Sequence, residues 1–146
     1  MGKMGFLALD HVGNVFGDTS FFVAALNPAD ADHSLALDLS HDVAARRIRV
    51  ITTWEVVVEC VALLRYRVGF RESQEFLTQV ASALTILHPD ENERKAAIDF
   101  YLKRSATRRL SLCDAISYVV VSTRLDWAPC LTFDSDFAAL GLTVVR

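Results

Sequence analysis

Residues 15–26 read VFGDTSFFVAAL, and this stretch decides the class of fold. A short apolar run ends at Asp18, two hydroxyl residues suited to capping a helix follow, and a second apolar run continues until Asn27-Pro28 ends it. A strand over about residues 13–17 that turns directly into a helix is the first unit of an α/β fold. Asp18 then lies at the carboxyl end of a strand, which is the edge where open parallel sheets bind ligands.

The remainder of the chain continues this alternation of short apolar runs and longer helical segments. Helices are predicted at about 32–47, 52–66, 71–83, 90–104 and 112–125. Strands are predicted at about 49–51, 84–88, 128–133 and 142–145. The pattern therefore indicates an α/β fold with a mainly parallel central sheet.

Composition and charge fit one globular domain. The chain has 146 residues, of which 52% are hydrophobic, so it can bury a substantial core. A net charge of −3 is weak evidence against nucleic-acid binding, because binding to phosphates usually needs a basic surface. Twelve arginines against three lysines suit a phosphate ligand, although a GC-rich coding sequence explains that bias at least as well.

The compartment is predicted from segments that a secreted or membrane protein would need. The apolar run near the N-terminus is too short for a signal peptide, and no stretch approaches the ~20 apolar residues of a membrane span. The three cysteines, Cys60, Cys113 and Cys130, have no metal-binding or redox spacing and are interpreted as small apolar fillers. We expect a soluble, cytoplasmic protein with no membrane partner.

Three further stretches place a carboxylate among apolar residues. Asp114 lies in LSLCDAISYVVV, Asp134 follows the apolar run in LTFDSDF, and Glu59 lies in the helix WEVVVECVALL. Carboxylates are rarely buried, and an unpaired buried charge is costly. We therefore expect these three acids and Asp18 to share one ligand, a metal ion.

Each acid also has a simpler structural interpretation. Asp18 could cap the helix that follows it, although Thr19 or Ser20 could serve instead. Glu59 could form an ion pair with Arg65, and Asp114 could be a first-turn acid stabilised by the helix dipole by ~0.3–1 kcal/mol.

Helix-capping roles are also predicted for two acids outside the four preferred metal ligands. Asp136 is better placed than Asp134 to cap the short helix DFAAL. Thr52 or Thr53 is expected to cap the helix at 52–66, and Glu55 completes a Thr52-x-x-Glu55 capping box, so we expect Glu55 to be structural.

The type of donor predicts the type of metal. Oxygen ligands without Cys or His select Mg²⁺ or Mn²⁺ over zinc. The four histidines lie outside all four stretches, which disfavours a histidine pair or a Ser/His/Asp triad. Carboxylates that hold divalent ions ~3.5–4 Å apart fit phosphodiester hydrolysis.

Taken in chain order, around Asp18, Glu59, Asp114 and Asp134, the four stretches resemble the PIN-domain ribonucleases. The resemblance is greatest to the VapC toxins of bacterial toxin–antitoxin pairs. The resemblance spans about residues 15–146. It implies a three-layer α/β/α sandwich and a Mg²⁺- or Mn²⁺-dependent endoribonuclease. The acids of the family fall on Asp18, Glu59, Asp114 and Asp134, with Asp136 as a second candidate for the fourth position.

The resemblance also implies supporting residues and partners. The hydroxyl that steadies the first acid falls on Thr19 or Ser20, and the hydroxyl before the last acid falls on Thr132. A homodimer, a small antitoxin and a tRNA or rRNA substrate are expected. Residues 1–14 form an N-terminal extension before a single domain at 15–146, and Gly17 replaces a bulky apolar residue, which predicts a looser strand.

An RNA substrate needs basic residues near the acids. The group just upstream of Asp114 is the best candidate for phosphate contacts, although bases ending a helix explain it about equally well; it comprises Lys103, Arg104, Arg108 and Arg109. Two other functions compete with RNA cleavage. A catalytically silent scaffold that binds RNA or a partner is one, and phosphotransfer through an aspartyl phosphate is disfavoured because no lysine follows Lys103 and no DxDxT motif occurs.

Overall fold

A computed structural model describes residues 9–145 of the chain. Five strands form one sheet in the order β3-β2-β1-β4-β5, and every pairing is parallel. The strands are β1 Asn14–Gly17, β2 Arg49–Thr53, β3 Thr85–Leu87, β4 Cys130–Leu131 and β5 Val144–Val145. The parallel sheet expected from the sequence is confirmed.

Helices complete a three-layer α/β/α sandwich, which confirms the expected fold class. Seven α-helices occur in residues 9–145: α1 Thr19–Leu26, α2 His33–Ala45, α3 Trp54–Arg67, α4 Phe70–Glu75, α5 Glu91–Arg104, α6 Leu112–Thr123 and α7 Ser135–Ala139. A large core cluster surrounds Phe16 and Leu131 of the central strands, and a smaller one lies between α5 and α6 around Ala97 and Val120.

The strand order creates a switch point beside β1. The chain builds β1, β2 and β3 toward one edge and then adds β4 and β5 on the other side of β1. Phe16 of β1 is therefore in register with both Ile51 of β2 and Cys130 of β4. The carboxyl ends of β1 and β4 meet where parallel sheets leave a crevice.

Gly17 is required by packing, and the looser strand expected from it is wrong. A Cβ atom at Gly17 would lie 2.3 Å from Cζ of Phe22. That ring is buried and packs against Phe21 and Phe76, with ring centroids 5.6 Å away in each case. The Gly17 carbonyl also accepts a 2.8 Å hydrogen bond from Thr52 Oγ1, which holds β1 beside β2.

The start of α3 differs from the expected capping box. Thr53 is the N-cap, and its hydroxyl accepts a hydrogen bond from the Val56 amide at 3.2 Å. Thr52 ends up inside the sheet with its hydroxyl bound to Gly17, so the Thr52–Glu55 box is wrong. The strand extends two residues further than the short apolar run RVI indicates, so the second of the two expected threonines is the cap.

The amphipathic segment at 71–83 is helical but irregular. It comprises α4, a π-helical segment Phe76–Val80 and a short 3₁₀ turn Ala81–Ala83. Apolar spacing does not distinguish these three hydrogen-bond patterns because their turns place apolar residues at similar intervals. Phe76, at the start of the π segment, is fully buried against Phe22.

The expected N-terminal extension is described only in part, because residues 1–8 lie outside the described residues. Of the remainder, Leu9 is buried and Asp10 pairs with Arg46 after the end of α2. Within residues 9–145, no helix is long and apolar enough to cross a bilayer. The three cysteines are free thiols, two of them buried, and burial raises their pKa above the ordinary range.

Candidate active site

A cleft of about 760 Å³ opens at the carboxyl ends of β1 and β4. All four acids expected from the sequence, Asp18, Glu59, Asp114 and Asp134, line this cleft. They come from four separate segments: the end of β1, the middle of α3, the first turn of α6 and the turn after β4. The fold therefore brings together carboxylates that are far apart in sequence.

Asp18 is the most buried of the four acids, with 3% of its surface exposed. It occupies the N-cap position of α1, yet its side chain makes no capping hydrogen bond, so the capping interpretation is wrong. Oδ2 instead accepts hydrogen bonds from Thr132 Oγ1 at 2.8 Å and from Ser20 Oγ at 3.0 Å. Burial raises the pKa of Asp18 to about 6, the charge of Asp114 adds to the shift, and the hydroxyl hydrogen bonds oppose it.

Ser20 and Thr132 join the ends of β1 and β4. Their hydroxyl oxygens lie 3.1 Å apart, Ser20 Oγ accepts from the Phe133 amide, and Thr132 Oγ1 accepts from the Asp134 amide. Of the two hydroxyls proposed beside Asp18, Ser20 makes the contact, whereas Thr19 Oγ1 is buried without a partner among the described residues. Neither caps α1. This network fixes where Asp18 and Asp134 stand relative to each other.

Asp114 is held by a capping box at the start of α6. The Ser111 amide donates to Asp114 Oδ2 at 3.1 Å, and the Asp114 amide donates to Ser111 Oγ at 3.0 Å. Burial raises the pKa of Asp114, the Ser111 hydrogen bonds oppose the shift, and the charges of Asp134 and Glu59 add to it. Asp114 thus stabilises the start of α6 through the capping box, and its carboxylate is subject to the negative charges of Asp134 and Glu59.

Asp134 caps α7, and the expected cap from Asp136 is wrong. Asp134 Oδ1 accepts a hydrogen bond from the Asp136 amide at 2.9 Å. The helix begins at Ser135, one residue earlier than the apolar pattern DFAAL indicates, so Asp134 takes the N-cap position. Asp136 also lines the cleft and stays a second candidate for the fourth acid.

Glu59 lies half-buried on the face of α3 that borders the cleft. Leu63 and Arg67 follow on the same face at four-residue intervals and line the cleft as well. The ion pair suggested for Glu59 does not form: the Arg65 guanidinium lies 5.8 Å from the centre of the Phe70 ring instead. None of the ion pairs within residues 9–145 involves Glu59.

Of the four basic candidates for phosphate contacts, Arg109 lines the cleft and the other three do not. Lys103 and Arg104 belong to the last turn of α5, where Arg104 lies over the ring of Phe100. The sequence interpretation missed Ser111, although a serine three residues before Asp114 has the spacing of a capping box. It also missed Asp30 and Asp32 of the α1–α2 loop, which reach the cleft only through the fold.

The donor chemistry of the cleft fits a hard divalent ion. Its lining includes seven acids and, among the described residues, no cysteine or histidine. In the part of the chain that the structure describes, no group of three or more Asp, Glu, His or Cys side chains is arranged to hold a metal ion by itself. Mg²⁺ usually keeps several waters and binds through one or two carboxylates, so a set of paired acids suits it.

The sequence of this chain is similar to those of known proteins. The family model for the PIN domain matches residues 15–142. Two curated proteins, each named 23S rRNA-specific endonuclease VapC20, from Mycobacterium tuberculosis strains CDC 1551 / Oshkosh and ATCC 25618 / H37Rv, are 30% identical over 133 residues. The alignment covers 90% of this chain and 98% of each relative.

A solved structure has a similar overall fold. The crystal structure of Mycobacterium tuberculosis VapC20, described as a sarcin–ricin loop cleaving toxin, superposes with a TM-score of 0.74 at 28% identity. The superposition covers 88% of this chain and 96% of that chain.

Proposed function

The chain belongs to the PIN-domain family, and from this premise we propose that it cleaves RNA with divalent metal ions bound by Asp18, Glu59, Asp114 and Asp134. The class of activity follows from the family and the curated relatives: the chain is a ribonuclease of the VapC toxin type. The observation that carries the metal-site proposal is that carboxylates from four separate segments line one cleft at the carboxyl edge of the sheet.

The chain's own residues prepare this centre before substrate arrives. Ser20 and Thr132 fix one oxygen of Asp18, and Ser111 fixes one oxygen of Asp114. Positions held by hydrogen bonds need little rearrangement during the reaction, which favours catalysis. Bound divalent ions would supply Lewis-acid chemistry, activating a water and offsetting charge on the phosphate oxygens. Mg²⁺ or Mn²⁺ is proposed because the donors are oxygens alone.

Replacement of Asp114 by asparagine tests the proposal. Asparagine retains the size and the capping oxygen but removes the charge, so cleavage of RNA in Mg²⁺ or Mn²⁺ should fall about 100-fold or more while the thermal midpoint is maintained. Asp99→Asn, an exposed acid on α5 outside the cleft, is the matched control and should cut like the wild type. EDTA should abolish wild-type cleavage. Cleavage by Asp114→Asn at the wild-type rate would show that the assigned centre is wrong.

The substrate is proposed from the relatives. Because the similar proteins are named for 23S rRNA and for the sarcin–ricin loop, we propose that this chain cuts a structured loop of ribosomal RNA. Mapping of new RNA ends after incubation with ribosomes and with total tRNA separates the two expected classes. Ends confined to tRNA would overturn the rRNA assignment and leave the ribonuclease assignment intact.

Partners and location complete the proposal. A toxin of this class is silenced by a small cognate antitoxin, which a short adjacent reading frame and loss of toxicity on co-expression would identify. A homodimer is supported by large apolar side chains that stay exposed in the single chain, such as Tyr66, Phe70 and Leu102, and light scattering measures its mass. The proposed compartment is the cytoplasm, where the RNA substrate is found.

A further inference from the structure

Two arginines line the otherwise acidic cleft. Arg67 and Arg109 are both exposed, and none of the ion pairs or side-chain hydrogen bonds among residues 9–145 involves either guanidinium group. Other arginines are engaged elsewhere: Arg46 and Arg124 form ion pairs, and Arg104 lies over Phe100. The charges of Arg67 and Arg109 are therefore available to a ligand that enters the cleft.

Each arginine extends a segment that also carries an acid of the centre. Arg67 lies on the same face of α3 as Glu59, two turns and ~12 Å further along the helix axis. Arg109 precedes Ser111, the residue that caps α6 and holds Asp114. Both positive groups therefore line the cleft from segments that also supply acids to it.

A polyanion meets repulsion from seven acids in this cleft, and any phosphates next to the reacting one need positive partners. Arginine is suited to this task because its planar fork binds phosphate oxygens in pairs. We propose that Arg67 and Arg109 bind the RNA phosphates adjacent to the scissile one and so position that bond over the four acids. This inference rests on the proposed function and adds two positioning residues to it.

Binding of RNA tests the inference directly. The probe is a fluorescein-labelled single-stranded RNA of mixed sequence, added with EDTA present so that no cleavage occurs. Arg67→Gln and Arg109→Gln should each weaken binding about tenfold, the loss expected for one charged hydrogen-bonded contact. Each should also lower the slope of log Kd against log salt by roughly 0.7, because one phosphate contact is lost.

Matched controls separate these residues from general basic charge. Arg65→Gln removes the same charge from an exposed arginine of α3 that lies on Phe70, and Arg108→Gln does so beside Arg109 outside the cleft. Both should retain wild-type affinity and salt slope. Arg67→Lys and Arg109→Lys should recover part of the affinity, because the charge returns without the fork.

Kinetics give a second readout on wild-type RNA cleavage. Arg67→Gln and Arg109→Gln should raise KM about tenfold and change kcat little, since contacts remote from the reacting bond act before and during the reaction alike. Equal affinity, salt slope and KM for the cleft variants and their controls would overturn the inference. Absence of any metal-dependent cleavage by the wild type would instead contradict the proposed function, while the binding comparison would still decide about the arginines.

Discussion

Gly17 and Asp18 are neighbours at the end of β1 under different constraints. The first has no side chain because the Phe22 ring occupies that space, and the second buries a carboxylate where burial is unfavourable. Each therefore has a stability consequence that can be measured without any RNA.

Gly17→Ala should destabilise the protein by about 2 kcal/mol, because a new methyl group overlaps the buried Phe22 ring, which must shift to make room for it. Urea denaturation gives the free energy of unfolding. Gly13→Ala is the control, since a Cβ atom there has no atom within 4 Å. Phe22→Leu in the Gly17→Ala background should relieve part of the strain, so the two changes should be coupled in a double-mutant cycle. Strictly additive effects would contradict the proposed overlap.

The raised pKa of Asp18 predicts a pH-dependent stability of the metal-free protein. The folded state holds the proton more tightly, with a pKa of about 6 against the ordinary 3.8, so this contribution is fully present below pH 3.8 and is lost as the pH rises through 6. Asp18→Asn has no charge to bury. In EDTA at pH 7.5 it should exceed the wild type by up to about 3 kcal/mol in free energy of unfolding, at ~1.4 kcal/mol per pKa unit.

The difference between Asp18→Asn and wild type should shrink as the pH falls through 6 and should vanish well below pH 3.8, where Asp18 is neutral in both states. Chemical denaturation at several pH values measures it. A variant less stable than the wild type at pH 7.5 would show that the hydrogen bonds of Ser20 and Thr132 fully compensate the buried charge.

At the residue scale, the sequence predicts Asp18 well and its partners only in part. An acid directly after a buried strand is visible from local sequence alone. The choice of Ser20 over Thr19 depends on how β1 aligns with β4, because Ser20 meets Thr132 across 112 residues of chain. No local pattern contains that alignment.

Two helices, α5 and α6, begin with the same motif, a capping box, but only one of the two boxes lies at the cleft. The capping box Ser111–Asp114 opens α6 at the cleft, and the capping box Asp90–Glu93 opens α5 on an exposed surface away from it. The two boxes allow the stability role of a cap to be separated from its role in positioning an acid.

Ser111→Ala should cost about 1 kcal/mol of stability and should also reduce RNA cleavage, because the Asp114 amide loses the Ser111 hydroxyl that holds the first turn of α6 in place. Asp90→Ala should cost a similar amount of stability and leave cleavage unchanged. Thermal denaturation and cleavage rates measure the two effects. Equal cleavage by both variants would mean that the Ser111 cap has no part in positioning Asp114.

Helix and strand types were predictable from apolar periodicity, whereas their ends were not. The cap of α7 is Asp134, two residues before the expected Asp136, and the cap of α3 is Thr53, one of the two threonines expected there. Two threonines stand side by side at the start of α3 and Asp-Ser-Asp at the start of α7, and each of these residue types caps well, so composition leaves the choice open. Strand pairing decides it, since Thr52 is held in the sheet by its hydrogen bond to Gly17.

At the scale of the whole molecule, the cleft gathers more negative charge than the chain neutralises. Mg²⁺ or Mn²⁺ should therefore stabilise the folded protein, because the unfolded chain lacks the assembled site. At tenfold excess over Kd the gain is about 1.4 kcal/mol, which is a rise of about 3–5 °C in thermal midpoint for a domain of this size.

The stabilisation by metal should be lost in Asp18→Asn and in Asp114→Asn and maintained in Asp99→Asn. Differential scanning fluorimetry with and without metal measures it. The same rise in all four proteins would place the bound ion outside the cleft and contradict the assigned ligands.

The whole fold was predictable to the level of an α/β fold with a parallel sheet, since alternation of strands and helices carries that information. The strand order was not, and the meeting of the four acids depends on it. Glu59 and Asp114 lie 55 residues apart in sequence, and they line the same cleft only because the fold brings α3 and the start of α6 to one edge of the sheet.

The network between Ser20 and Thr132 has a consequence for synthesis of the protein. Asp18 is among the first residues of the domain to leave the ribosome, yet the hydroxyl that holds it lies 114 residues later. Until β4 has emerged, the nascent chain has neither Thr132 nor Asp134 and cannot assemble its site. A ribosome that translates this message therefore meets an assembled site only after nearly the whole PIN domain has been made.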